Sequence, residues 1–117
     1  MNKLTATAIA LTLGVTTLAS TASAEVLGTY IRKGDQIISM HVEDGLLYCT
    51  RARDGFELCH GMAEQLDGTW KGKKMKHPDM PRFMTFNGTV TFGNGDVTLK
   101  GCAAGNSLCQ SEVWPAK

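Results

Sequence analysis

The sequence predicts an all-β protein: a small eight-stranded antiparallel up-and-down meander, closed into a barrel and stapled by two local disulfides. Three observations lead there. Turn dipeptides recur at near-regular intervals, the best-defined segment alternates with period two, and the four cysteines pair up across two of the turns.

Gly34-Asp35, Asp44-Gly45, Asp54-Gly55, Asp67-Gly68, Asn94-Gly95 and Gly105-Asn106 all suit hairpin loops, because Gly, Asn and Asp tolerate positive φ. A longer break, His77-Pro78-Asp79-Met80-Pro81, lies between the fourth and fifth. Together they divide the chain into eight segments of strand length, none with a sustained helical stripe. An open meander of this size leaves two unpaired edges, so closure is expected. Eight strands enclose an interior that is filled by side chains or just holds one small ligand.

Met84 to Phe92 is the clearest strand. Met84, Phe86, Val90 and Phe92 share a face with Gly88, and Thr85, Asn87, Thr89 and Thr91 share the other, as a half-buried strand requires. Turning at Asn94-Gly95 sets Phe92 against Val97 and Val90 against Leu99, apolar against apolar. A three-residue loop at Arg53-Asp54-Gly55 sets Cys49 against Cys59 and Arg51 against Glu57 as an ion pair. A turn at Gly105-Asn106 sets Cys102 against Cys109. Of three possible connectivities, Cys49–Cys59 with Cys102–Cys109 follows from both turns, provided each pair is of the close, non-hydrogen-bonded type.

Residues 1–24 read as a secretory signal peptide. Lys3 precedes an uncharged apolar stretch from Thr5 to Ala19, and Ala22-Ser23-Ala24 has the small-x-small form of a cleavage site. The stretch is too short for a stable membrane span. Residues 25–117 are then a single exported domain, periplasmic or secreted, in which an even cysteine count reads as a disulfide framework. Lys3 is one of the 12 basic residues, so its removal balances the 11 acidic ones. A neutral exported chain argues against nucleic acid and against a polybasic membrane patch.

Several segments resemble a bacterial exported family, catalogued as domain of unknown function 2147. They are Trp70-Lys71-Gly72-Lys73, Pro78-Asp79, the strand at 84–92, Val97-Thr98-Leu99-Lys100-Gly101-Cys102 and Leu108-Cys109-Gln110-Ser111-Glu112-Val113-Trp114. Gly28-Thr29-Tyr30 and Leu58-Cys59-x-Gly61 are weaker matches in the N-terminal half. The chain departs from the pattern at Met80-Pro81-Arg82-Phe83 and at Trp114-Pro115-Ala116. The resemblance implies a small lipocalin-like barrel and an exported location. It brings no catalytic residues.

Candidate chemistry is sparse. Met75-x-His77-x-x-Met80-x-x-x-Met84 offers soft ligands suited to Cu(I), with Met40-His41 and His60-x-Met62 elsewhere. Met84 and Met40 are read as core, which leaves Met75, His77 and Met80 as loop ligands among Lys73, Lys74 and Lys76, a setting that disfavours a cation. Cys59-His60 is no nucleophilic pair if Cys59 is bridged, and no Cys-x-x-Cys redox pair is present. The aspartates sit at turns, where they cap backbone. Lys71-x-Lys73-Lys74-x-Lys76, beside Trp70, could meet an anionic partner such as lipid headgroups or polysaccharide, but is read as a solvated face or a guarded edge.

The expectation is a non-catalytic, cofactor-free binding protein for a small apolar or amphipathic molecule. Met84, Phe86, Val90, Phe92, Trp70 and Trp114 are assigned to the barrel interior. The alternatives are an envelope protein–protein interaction or inhibitor module, which would present the loop at 77–81, and a periplasmic Cu(I) binder.

Overall fold

A computed structural model describes residues 25–117; the expected signal segment, residues 1–24, lies outside the described residues. The strands are β1 (Glu25–Arg32), β2 (Gln36–Glu43), β3 (Leu46–Arg51), β4 (Glu57–Glu64), β5 (Trp70–Met75), β6 (Phe86–Phe92), β7 (Asp96–Ala103) and β8 (Leu108–Pro115). They form one sheet in chain order, every neighbouring pair antiparallel. All seven connections fall at the turn segments read from the sequence. In the β1–β2 turn the left-handed residues are Lys33 and Gly34, and in the β7–β8 turn they are Ala104 and Gly105. Asp35 and Asn106 therefore do not supply the positive φ expected of them.

The sheet curls until β1 meets β8, and the barrel is nearly closed. Backbone contact across this seam consists of a bridge between Tyr30 and Ala116 and a bond from the Lys117 N–H to the Thr29 carbonyl, 2.9 Å. Side chains complete the closure lower down, as described below.

The hydrophobic core follows from the alternation. Ile38 and Met40 from β2, Leu47 and Cys49 from β3, Val90 from β6 and Val97 from β7 are fully buried. Trp70 and Trp114 complete the packing, and Phe92 leans on Tyr30 with ring centroids 6.2 Å apart. Removing this apolar surface from water drives the fold. Both disulfides form as read, Cys49–Cys59 and Cys102–Cys109, with Cα atoms 4.6 and 4.0 Å apart, the spacing of close cross-strand pairs. Phe92 faces Val97 and Val90 faces Leu99.

Two expectations need correction. Arg51 does not face Glu57. β4 carries extra residues on either side of the Cys49–Cys59 pair, so Glu57 falls opposite Thr50. One irregularity includes Gly61 at φ +64°, the backbone state a bulge asks of glycine. These bulges turn both Leu58 and Cys59 inward. Arg51 instead forks onto Asp54 in its own turn at 3.0 and 2.7 Å, with its guanidinium carbon 5.3 Å from the Phe56 ring centroid. Second, β6 begins at Phe86, and Met84 precedes it in the loop. The Met84 N–H is bonded to the Pro81 carbonyl at 3.0 Å, which holds this segment in a turn.

Candidate functional site

Up-and-down connectivity gathers the β1–β2, β3–β4, β5–β6 and β7–β8 turns at one end of the barrel. The long connection, residues 76–85, folds across that end. Beneath it lies a cavity of about 500 Å³, within the range of small-molecule sites.

Its walls are built strand by strand. Leu58, turned inward by the β4 bulge, meets Met75 at the end of β5 and Phe86 at the start of β6. Leu99, Leu108 and Trp114 supply the opposite wall from β7 and β8, and Pro78, Met80 and Met84 form the roof. Two glycines make room for Met75. A Cβ at position 88 would lie 2.5 Å from its Cε, and one at position 101 would lie 3.3 Å from its Sδ.

The polar side of the cavity centres on Arg32, whose side chain is only 1% exposed. Its Nε and Nη2 donate to the two carboxylate oxygens of Glu112 at 2.8 and 3.0 Å. This fork joins the first strand to the last. Nη1 donates to the Gln36 side-chain oxygen at 3.0 Å, which also accepts from Arg51 at 3.1 Å. A polar chain thus runs Glu112–Arg32–Gln36–Arg51–Asp54 along the loop end. Trp114 adds its indole N–H to Glu112 at 2.9 Å. Burial pushes the Glu112 pKa up, but the bonds from Arg32 and Trp114 and the charge of Arg32 outweigh it and leave the carboxyl below its ordinary value.

The roof is tied down at two points. Lys33, in the β1–β2 turn, bonds Asp79 at 3.1 Å and holds its carboxyl below the usual range. His77 lies over Glu112, Nε2 to carboxylate 3.7 Å. The Asp79 N–H donates to His77 Nδ1 at 3.1 Å, which puts the ring proton of the neutral imidazole on Nε2, facing Glu112.

Of the residues assigned to the interior, Met84, Phe86 and Trp114 line this cavity. Val90 and Trp70 belong to the packed core, and Phe92 packs against that core; none of the three lines the cavity. The soft-ligand candidates Met75, His77 and Met80 do line it, although Met75 is buried in β5 and is not an exposed loop residue. Met40 and Met62 point into the core. Among the described residues, no group of three or more His, Cys, Asp and Glu is placed to hold a metal ion.

Arg32 and Glu112 escaped the sequence reading, yet a signal was present. Arg32 shares a strand face with the core residue Tyr30, and Glu112 shares one with Trp114, so both are charges on an inward face.

Comparison with known proteins finds no matching family model, no similar curated protein and no similar solved structure. The two disulfides suit an oxidising, extracytoplasmic setting, and no helix among the described residues is long and apolar enough to cross a membrane.

Proposed function

We propose that this protein is an exported, non-catalytic barrel that binds a small amphipathic molecule in the cavity beneath residues 76–85, and that it belongs to the exported family its C-terminal segments resemble. The carrying observation is the cavity itself: apolar walls that include Leu58, Met75, Phe86 and Leu99 beside the charged pair Arg32–Glu112. An apolar body gains by leaving water along those walls, and a polar end finds partners at the loop end. Native mass spectrometry of the protein purified from the cells that produce it tests this directly. A retained small molecule that dissociates on activation supports the reading, and a protein that takes up no amphiphile from a panel overturns it.

A second reading also has a specific observation behind it. Met75, Met80, Met84 and His77 line the same cavity, and thioether and imidazole ligands suit Cu(I). Anaerobic Cu(I) titration separates the two: affinity lost in the Met75, His77 and Met80 triple alanine variant favours the metal, and unchanged affinity rejects it.

A further inference from the structure

Three charged groups of fixed sign line the cavity: Arg32, Lys76 and Glu112. Arg32 and Glu112 satisfy each other through two bonds, with Trp114 and Gln36 taking further sites. That pair is neutral and closed. Lys76 is different. Its ammonium donates to the Arg82 backbone carbonyl, and among the described residues it makes no ion pair with a carboxylate. An ammonium carries three donors, so it has capacity for an anion.

The surroundings have the same sign. The ladder between β5 and β6 shifts register between Gly72 and Met75, so Lys73 and Lys74 both point outward. They line an outer groove with Lys76 and Arg82. Of the acidic residues of that groove, Asp54 is paired with Arg51 and Glu57 hydrogen-bonds the His60 ring, so the four cations Lys73, Lys74, Lys76 and Arg82 outnumber the remaining carboxylate. Asp79 on the roof is held by Lys33. Unneutralised positive charge thus collects at one side of the mouth, a field that attracts anions.

We infer that the bound amphiphile carries an anionic head group, held at the mouth by Lys76 beside His77, with its chain along Leu58, Met75 and Phe86. This rests on the amphiphile reading above. A cationic head would face Lys76 with no free carboxylate nearby, and an uncharged head would gain nothing from the field.

The test holds the chain constant and changes the head: dodecanoate, dodecyl phosphate, dodecanol and dodecyltrimethylammonium, each titrated below its micelle or solubility limit with tryptophan fluorescence as readout, Trp114 being the tryptophan that lines the cavity. An anionic probe should bind about tenfold or more tighter than dodecanol, as expected of a charge-assisted contact. Whether the carboxylate or the phosphate binds tighter then identifies the head. K76Q should abolish the preference, bringing dodecanoate to within about twofold of dodecanol in the same variant, and K76R should retain it. Equal or tighter binding of dodecanol or the cation overturns the inference but leaves the amphiphile reading standing. Failure of all four probes to bind overturns both.

Discussion

Arg32 and Glu112 lie 80 residues apart in the chain and meet through two bonds of 2.8 and 3.0 Å across the seam between the first and last strands. The seam has little backbone pairing beyond Tyr30–Ala116, so this fork closes the barrel where the ladder runs out. It also forms one side of the cavity. Stability and binding site therefore depend on the same pair.

Glu112→Gln should destabilise the protein by about 3 kcal/mol, near the lower end for a broken buried pair because Glu112 is itself one-third exposed. It leaves the buried Arg32 guanidinium without its countercharge. Arg32→Met combined with Glu112→Leu should cost less than Glu112→Gln alone, since no uncompensated charge remains. Urea unfolding midpoints check both.

The two disulfides should not contribute equally. Each closes a short loop, and loops of this length are worth roughly 2–3 kcal/mol. Cys49 and Cys59 are also fully buried, so Cys49→Ala with Cys59→Ala loses packing as well. Cys109 lies at the exposed end of β8. Thermal melts of the two double variants should rank the 49–59 variant as the less stable.

Acid should destabilise the fold, chiefly through the loop end. The bond from Arg51, then that from the Phe56 N–H, lowers the Asp54 pKa to about 2. Asp79 and Glu112 are lowered too, by Lys33 and by Arg32 with Trp114. A carboxylate held low in the folded state stabilises it above the unfolded pKa, about 4. That contribution is lost as pH falls through the folded value. Urea midpoints should therefore be flat near neutrality and drop between about pH 4 and 2. Asp54→Asn should start lower and fall less across that window.

Gly88 bears on the cavity through Met75. With a Cβ at position 88 only 2.5 Å from the Met75 Cε and 2.9 Å from its Cβ, Gly88→Ala should cost about 1–3 kcal/mol, the range for overpacking. Because the Met75 side chain is the neighbour that must yield, Gly88→Ala and Met75→Ala should be non-additive, the double variant losing less stability than the two single losses together. Chemical denaturation of the single and double variants decides the point.

Much of this fold could be read from the residues. Every turn carries Gly beside Asp or Asn, or a Pro pair, and the segment from Phe86 to Phe92 alternates without interruption. Those features place the strands, the β6–β7 register and both disulfides. What the sequence concealed lies where alternation breaks. Leu58 and Cys59 are consecutive yet both buried, and Lys73 and Lys74 are consecutive yet both exposed. A residue inserted between Cys59 and Glu57 moves Arg51 away from Glu57 with no glycine to mark it, whereas Gly61 marks the other irregularity, between Cys59 and Met62. The site was half legible. Apolarity alone points Met84, Phe86 and Trp114 to the interior, and side-chain chemistry alone marks Met75, His77 and Met80 as soft ligands. Their convergence on one cavity depends on how residues 76–85 cross the barrel end, which no periodicity encodes.

The central claim is that the loop-end cavity, and not the packed core, receives an amphiphile. Methyl resonances of methionine measure this directly, because the five methionines of the described chain divide between the two regions. Met75, Met80 and Met84 line the cavity, and Met40 and Met62 sit in the core. On titration with dodecanoate, the ε-methyl signals of Met75, Met80 and Met84 should shift in saturable fashion while those of Met40 and Met62 stay in place. Saturation without any movement of the three cavity methyls, or shifts confined to Met40 and Met62, would contradict it.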